Sequence, residues 1–319
     1  MVPLALVYHS DLEKNRVGEP VFIGFLRRRR TLLLFIAPTV GVLLAIVIFP
    51  LFFSLVLSFF DWNVIQAEPW SWVGLGNYST ILFQDPYFRT SLTVTVLYLL
   101  GTVPLQLVLG LIVALILNRI GQKIINSLRT ILVIPAMMTP LIVGIIWRLM
   151  YNPDMGMLNY FLSLLHLHPI IWTGMPATAL PSVMIADIWE WTPFIALILL
   201  AGLQAIPVEP LEGARVDGAS GWQTLRFVVL PLLSPVILVA ILIRLMDSFK
   251  TFDLIFVLTQ GGPGMSTEIL NYYTYRNGFK FFHMGYASAL SWLLVIILNV
   301  ISMILGRTLR SRGLYAAGR

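Results

Sequence analysis

Six long apolar runs divide this sequence, and they constrain its fold more than any other feature. The runs cover residues 31–60, 91–117, 130–151, 179–203, 227–249 and 287–306. A helix of about 20 apolar residues is long enough to cross the hydrocarbon core of a bilayer. Only 11% of the residues are charged, whereas a soluble domain carries about 25%. We therefore predict an all-α membrane protein, surrounded by membrane lipid, with about six transmembrane helices.

Basic residues are unevenly distributed between the two sides of this predicted bundle. If the N-terminus is inside, the inner segments hold 15 of the 21 Lys and Arg residues, and the outer loops and span ends hold 6. Cytoplasmic loops of membrane proteins are enriched in Lys and Arg. The distribution predicts a multi-pass inner-membrane protein with both termini in the cytoplasm. It also accounts for the net charge of +6 without any nucleic-acid partner.

The longest inner connection between two spans, residues 205–231, differs from the other loops. Pro207 and Pro210 open it, and residues 211–216 can form a short helix. The pair Asp217-Gly218 is typical of a helix stop or a turn, and residues 219–223 can add a second short helical turn. A short helix on the cytoplasmic face between two spans is suited to docking a soluble partner.

This segment carries a resemblance to a known family. Glu212-Gly213-Ala214, Asp217-Gly218-Ala219 and the later Leu230-Pro231 resemble the EAA signature of binding-protein-dependent ABC importer permeases. Gly213 departs from the alanine of the family, and a glycine weakens a helix by up to about 1 kcal/mol. Residues 74–78, 188–194 and 258–263 resemble the maltose-type carbohydrate permeases of that family, and the resemblance covers about residues 30–306.

The resemblance implies a type I permease fold and ATP-driven import of a sugar or oligosaccharide. It implies four partners: a second homologous permease subunit, two cytoplasmic ATPase subunits and an extracytoplasmic solute-binding protein. It implies that ATP is bound by a partner subunit and that this chain has no cofactor of its own. The sequence agrees, because it contains no phosphate-binding glycine-rich loop that ends in Lys-Ser or Lys-Thr. ATPase coupling is assigned to Glu212, Gly213, Ala214, Asp217, Gly218 and Ala219.

The same resemblance suggests a division of the chain into functional segments. A cytoplasmic tail covers residues 1–30, and the first transmembrane helix with its outer loop covers residues 31–90. A core permease domain covers residues 91–306 and includes the coupling segment at residues 205–223. A second cytoplasmic tail covers residues 307–319.

Ionisable residues within the predicted fourth and fifth spans give a second indication of function. Such groups are costly inside a membrane, so they normally face a cavity or each other. The i, i+3, i+4, i+7 spacing of residues 187, 190, 191 and 194 puts them on one helical face, and residues 244, 247, 248 and 251 share another. Alignment on the EAA signature implies a sugar site formed by Asp187, Glu190, Trp191, Phe194, Arg244, Ser248 and Thr251.

Several alternatives remain open from the sequence. The charges in the spans also fit a structural ion pair of Arg244 with Asp187 or Asp247. A self-sufficient secondary transporter would use Asp187 or Glu190 as a proton carrier and would have an internal repeat and no docking segment. An integral membrane enzyme would have catalytic side chains clustered at one membrane face. The sequence shows no such cluster and no cysteine, and we expect neither a catalytic nor a metal site.

Overall fold

The computed structural model describes residues 35–66, 69–120 and 122–311. The predicted N-terminal tail and residues 312–319 of the C-terminal tail lie outside the described residues. The chain forms two compact units that divide after Val56. The helices are α1 Phe35–Leu57, α2 Gly76–Ser79, α3 Pro86–Asn118, α4 Gln122–Met137, α5 Pro140–Met150, α6 Met157–Leu164, α7 Pro176–Gln204, α8 Glu209–Val216, α9 Gly221–Phe249, α10 Asp253–Leu258, α11 Leu270–Tyr275 and α12 Met284–Ser311. The strands β1 Phe60–Asp61 and β2 Ser71–Trp72 form an antiparallel hairpin in which Phe60 pairs with Trp72.

Five of the described helices are long and apolar enough to cross a membrane: α1, α3, α7, α9 and α12. They coincide with five of the six predicted runs. A sixth crossing exists if α4 and α5 are counted as one bent span. The all-α membrane fold predicted from the sequence is therefore confirmed.

The predicted third span is bent instead of continuous. Residues 128–137 and α5 meet at an angle of 93°. Pro140 is at the start of α5, and Thr139 before it is extended, with φ −72° and ψ 140°. A residue that precedes proline is disfavoured in the helical region, so α4 ends and a new helix begins in another direction. An apolar run alone does not reveal such a change of direction.

Helices α3 and α7 pack against each other more extensively than any other pair of described helices. Small residues allow this close approach, as they do between membrane helices in general. A Cβ atom at Gly110 of α3 would lie 2.7 Å from Cγ2 of Ile195 on α7, and one at Gly101 would lie 2.7 Å from the sulfur of Met184. Helix α9 packs against both helices. The three helices thus form the frame in which the buried polar residues lie.

Asp85 joins three segments at the start of α3. Its carboxylate accepts a hydrogen bond from the backbone N–H of Tyr87 at 2.8 Å, which caps the helix. It also accepts hydrogen bonds from the hydroxyl of Tyr273 at 2.6 Å and from that of Tyr286 at the start of α12. Asp85 is 7% exposed. One buried carboxylate therefore fixes the relative positions of α3, α11 and α12.

The connection between α10 and α11 contains a buried glutamate outside the spans. Glu268 is fully buried, and one of its oxygens lies 2.7 Å from Nη1 of Arg276. Burial raises the pKa of the Glu268 carboxyl to about 7, although the charges of Arg276 and Lys280 act to lower it. Desolvation therefore outweighs the two cations at this position.

Candidate functional site

Arg244 is the centre of a buried polar network between α3, α7 and α9. Its side chain is 1% exposed. Its Nη2 atom donates to the carboxylate of Asp187 at 2.7 Å, and its Nε atom donates to the amide oxygen of Gln106 at 2.7 Å. Its Nη1 atom donates to Asp247 at 3.0 Å. The guanidinium thus connects all three helices.

Gln106 completes this network from α3. Its amide nitrogen donates to the Asp187 carboxylate at 2.9 Å and to the backbone oxygen of the same residue at 3.1 Å. Gln106 is fully buried and Asp187 is 2% exposed. A buried ion pair is tolerated only when further hydrogen bonds satisfy its remaining donors and acceptors. Gln106 supplies these bonds on both sides of the Arg244–Asp187 pair.

A cavity of about 140 Å³ lies beside the network. Four of the residues predicted to bind a sugar line it: Asp187, Glu190, Trp191 and Thr251. The other lining residues are Pro140, Asp247, Lys250, Phe252, Asp253 and Leu254. The ion pair and a cavity are therefore both present, so the two interpretations left open by the sequence do not exclude each other.

The other three predicted site residues lie next to the cavity without lining it. Arg244 lies behind Asp187, and its Cζ atom is 4.9 Å from the ring centroid of Trp191 in a cation–π arrangement. Phe194 packs edge-on against the Trp191 ring at 5.9 Å. Ser248 is 1% exposed, and its hydroxyl has no hydrogen-bond partner among the described residues. Arg244 and Phe194 fix the position of the Trp191 ring.

Glu190 differs from the other carboxylates at the cavity. It is 1% exposed, and neither of its carboxylate oxygens has a hydrogen-bond partner among the described residues. Buried polar groups in proteins nearly always have partners, and an exception needs an explanation. Glu190 thus lines the cavity with a buried carboxyl group that has no hydrogen-bond partner among the described residues.

Sequence reasoning missed Gln106, Lys250 and Asp253 as members of this region. Gln106 had a detectable signal, because it is an amide within an otherwise apolar run and such residues in membrane spans usually face other helices. Lys250 and Asp253 come at the end of α9 and the start of α10, where charged residues are ordinary. Only the fold shows that the chain turns back there to close the cavity.

The predicted coupling segment forms a short helix with a defined end. Helix α8 covers Glu209–Val216. Gly218 has φ +73°, its N–H donates to the carbonyl of Arg215 at 3.1 Å, and the N–H of Ala219 donates to the carbonyl of Ala214 at 2.9 Å. This pair of bonds is a Schellman motif, which ends a helix with a glycine in the left-handed region. The turn predicted at Asp217-Gly218 is confirmed.

The faces of α8 differ in exposure. Ala214 is buried, whereas Glu212, Gly213, Asp217 and Gly218 are exposed. A Cβ atom at Gly213 or at Gly218 would meet no atom within 4 Å. Helix α9 follows, and Ser220 caps its first turn, Gly221–Thr224, through a capping box with Gln223. The segment is thus a short helical projection between α7 and α9 with hydrogen-bonded ends and one open face.

These features define a class of protein: an integral membrane transport component with a buried polar site between its spans and a helical projection between two of them. Comparison with known protein families identifies the family within this class. Residues 106–312 match the model of the binding-protein-dependent transport system inner membrane component. The chain belongs to this family and is a permease subunit of a binding-protein-dependent ABC importer.

Curated relatives and a solved structure agree with this assignment. The chain is 38% identical over 278 residues to a trehalose/maltose transport system permease protein of Thermococcus litoralis, which covers 86% of this chain and 92% of the relative. It is 34% identical over 279 residues to a sulfoquinovosyl glycerol transport system permease protein of Agrobacterium fabrum, with coverage of 88% and 90%. The structure of a bacterial ABC transporter involved in import of the acidic polysaccharide alginate matches with TM-score 0.77 and 23% identity, covering 92% of this chain and 99% of that chain. The permease fold and the resemblance to carbohydrate permeases predicted from the sequence are thereby confirmed.

Family membership decides between the alternatives left open by the sequence. The chain is a multi-pass inner-membrane transport component and not an enzyme, and it is not a self-sufficient secondary transporter.

Proposed function

We propose that this permease imports a sugar and that the sugar passes through the cavity between α5, α7, α9 and α10. The similarity to permeases named for trehalose/maltose and sulfoquinovosyl glycerol supports a sugar as the substrate. The chemistry of the cavity supports it as well. Carboxylates and the Thr251 hydroxyl hydrogen-bond sugar hydroxyls, and the Trp191 ring offers an apolar surface to a pyranose. The observation that carries the proposal is this combination of acceptors and an aromatic ring in one cavity.

The proposed assembly contains a second homologous permease subunit, two cytoplasmic ATPase subunits and an extracytoplasmic solute-binding protein. ATP binds the ATPase subunits. Helix α8 and the turn after it, with Glu212, Gly213, Ala214, Asp217, Gly218 and Ala219, transmit the movement of the ATPase to the spans. The exposed face of α8 and the two hydrogen bonds of its Schellman end support this role, because a partner can dock on a helix whose end is defined.

The proposed topology has both termini in the cytoplasm, as the distribution of Lys and Arg indicates. Helix α8 then lies on the cytoplasmic side, as coupling requires. Reporter fusions at the C-terminus test the topology, and a periplasmic signal there would overturn both the topology and the coupling role of α8.

A tryptophan substitution tests the substrate site. In the whole importer reconstituted into proteoliposomes, Trp191→Ala removes the aromatic surface of the cavity and the cation–π contact with Arg244. A buried interaction of this kind is worth about 1–3 kcal/mol, so transport efficiency should fall roughly 5- to 150-fold while the complex still assembles. The matched control is Trp189→Ala, because Trp189 lies on the same helix, is 41% exposed and does not line the cavity. Equal efficiencies for the two variants would contradict the proposed site.

A further inference from the structure

A second cavity, which we call the hairpin pocket, lies away from the proposed sugar path. Its volume is about 590 Å³, and it shares no lining residue with the cavity beside Arg244. It is bounded by the β1–β2 hairpin, by α2 and the segment after it, by residues 273–283 and by the first turns of α3 and α12. Carboxylates, amides, hydroxyls and tyrosine rings make up most of its lining, so it suits a polar ligand.

The hairpin pocket lies where two spans begin. Pro86 and Tyr87 of its lining open the span Pro86–Asn118, and Tyr286 belongs to the first turn of the span that begins at Met284. Lipid headgroups lie at the ends of transmembrane spans, outside the hydrocarbon core. The position of the pocket along the spans is therefore that of the headgroups.

The two faces of the hairpin agree with this depth. An N–H at the start of α12 donates to the carbonyl of Trp62 at 2.9 Å and holds the hairpin there. One face carries four aromatic rings that contact one another, those of Phe60, Trp62, Trp70 and Trp72. Tryptophan is enriched at the membrane–water interface, and Trp72 is 67% exposed. Side chains alternate between the faces of a strand, so Asp61 lies on the opposite face, where it lines the pocket.

The pocket carries negative charge that has no counter-charge in its lining. Asp61 and Asp85 line it, and neither forms an ion pair within the described part of the chain. Among the described residues, no Lys or Arg lines the pocket. Arg276 lies 5.7 Å from the Tyr273 ring, but it is paired with Glu268 at 2.7 Å. Asp85 is 7% exposed, and a buried carboxylate attracts a cation more strongly than one in water does.

The chemistry of the pocket favours an ammonium group over a metal ion. The described residues contain no group of three His, Asp or Glu side chains that could hold a metal. Asn277 lines the pocket and is 7% exposed; its amide nitrogen donates to the carbonyl of Tyr273 at 2.9 Å, and its amide oxygen accepts no hydrogen bond from a described residue. Buried polar atoms nearly always have partners, so this oxygen is an unused acceptor. A primary ammonium has three donors, and the faces of tyrosine rings such as those of Tyr87 and Tyr286 attract cations.

We propose that the hairpin pocket binds the primary ammonium group of a lipid headgroup of the phosphatidylethanolamine type. Asp61 and Asp85 supply the counter-charge, and the amide oxygen of Asn277 accepts one N–H bond. The exposed side chains of Gln84 and Tyr87 donate to the phosphate of the same headgroup. A free amine carries the same ammonium group, but the depth of the pocket favours the lipid. This site goes beyond the proposed function, because it requires neither a sugar nor the cavity beside Arg244.

The test counts lipids bound to the purified whole importer by native mass spectrometry and compares two lipids with equal acyl chains. Phosphatidylethanolamine carries the ammonium group, and phosphatidylglycerol lacks it. Free ethanolamine, which lacks the acyl chains, is added as a competitor. Asp61→Asn removes an exposed carboxylate of the lining, and Gln84→Lys adds a cation to it. The control Asp154→Asn removes an exposed acid of the loop before α6, outside the lining.

The expected preference follows from one ammonium charge beside one carboxylate. A unit charge at about 5 Å is worth roughly 4- to 15-fold in affinity at an effective dielectric constant of about 40–80. In the wild type and in Asp154→Asn, the first phosphatidylethanolamine should bind more tightly than the first phosphatidylglycerol by at least that factor. Asp61→Asn should lower the preference by about the same factor, and Gln84→Lys should abolish it.

Each contrary result overturns the proposal in a different way. Equal binding of the two lipids by the wild type would refute it, as would an unchanged preference in both Asp61→Asn and Gln84→Lys. Displacement of the lipid by an equimolar amount of free ethanolamine would show that the site takes a soluble amine and that the lipid assignment is wrong. If neither amine binds and Asp61→Asn weakens binding of the solute-binding protein, the pocket accepts a basic side chain of that protein instead. Sugar import stands under each of these results.

Discussion

Replacing Arg244 with methionine should destabilise the protein more than any other single change in the buried network. Methionine keeps most of the side-chain volume but removes the charge and four hydrogen bonds to Asp187, Gln106 and Asp247. Asp187, which is 2% exposed, would lose its charged partner and keep the neutral amide of Gln106 as a hydrogen-bond donor. Leaving a buried charge without its partner costs about 3–5 kcal/mol.

Two companion variants separate the ion pair from its surroundings. Asp247→Asn should cost about 0–1 kcal/mol, because Asp247 is 44% exposed and solvent screens its bond to Arg244. The double variant Arg244→Met, Asp187→Leu removes both buried charges and should recover a large part of the loss, since apolar replacement of a whole buried pair is often neutral. The matched control is Arg148→Met, because Arg148 is exposed on α5 and makes one long contact of 3.5 Å.

The assay is reversible unfolding of the purified protein in mixed micelles by increasing sodium dodecyl sulfate, followed by circular dichroism. The free energy of unfolding is compared between the variants. If Arg244→Met loses no more than Arg148→Met, the ion pair does not stabilise the fold. The single variant Asp187→Leu is measured as well. If the double variant loses as much stability as Arg244→Met and Asp187→Leu lose together, the two charges do not interact across α7 and α9, and the reasoning is refuted.

Three further predictions follow from the coupling turn and the outer segments. Gly218→Leu should abolish ATP-coupled transport, whereas Gly218→Asn should retain most of it. The position has room for a side chain but requires φ +73°, which asparagine tolerates and leucine does not. Equal transport by the two variants would contradict the role of the turn. Raising the pH from 4.5 to about 7 should lower the free energy of unfolding by up to about 3 kcal/mol, since Glu268 holds its proton more tightly in the folded state than in the unfolded chain. Thermal unfolding is measured against pH for the wild type and for Glu268→Gln, whose stability should lack this dependence on pH. The same dependence in both proteins would exclude Glu268 as its source. Asp85→Ala should lower the free energy of unfolding by about 2–4 kcal/mol, because it removes the cap of α3 and leaves the hydroxyls of Tyr273 and Tyr286 without their acceptor. An unfolding midpoint equal to that of the wild type would show that packing alone holds the three segments together.

Much of the fold follows from the sequence by elementary rules. The length and apolarity of the runs predict the spans, because a bilayer admits backbone only as helices that satisfy their own hydrogen bonds. The turn at Asp217-Gly218 is predictable because few residues other than glycine adopt positive φ easily. The 93° bend at Thr139 is less predictable. A proline such as Pro140 can either kink a span or end it, and the packing of the neighbouring helices decides between these two results.

The candidate site was only partly predictable. Helical spacing put residues 187, 190 and 191 on one face of α7, and all three residues line the cavity. The same rule put residues 244, 247, 248 and 251 on one face, and Asp247 and Thr251 of this face line the cavity. Arg244 and Ser248 do not line it, and Arg244 bonds Gln106 of α3 instead. Spacing along one helix does not give the rotation of that helix against its neighbours.

The sequence by itself determined which segments cross the membrane and where the short helix α8 ends, because these depend on local apolarity and on the conformational freedom of single residues. The tertiary structure alone decided that Gln106 bridges Arg244 and Asp187, that the Glu190 carboxyl has no hydrogen-bond partner among the described residues, and that Lys250 and Asp253 line the cavity. Gln106 and Arg244 are 138 residues apart in the chain. Their contact depends on how closely α3, α7 and α9 approach and on how each is rotated, which is set by the packing of many side chains together.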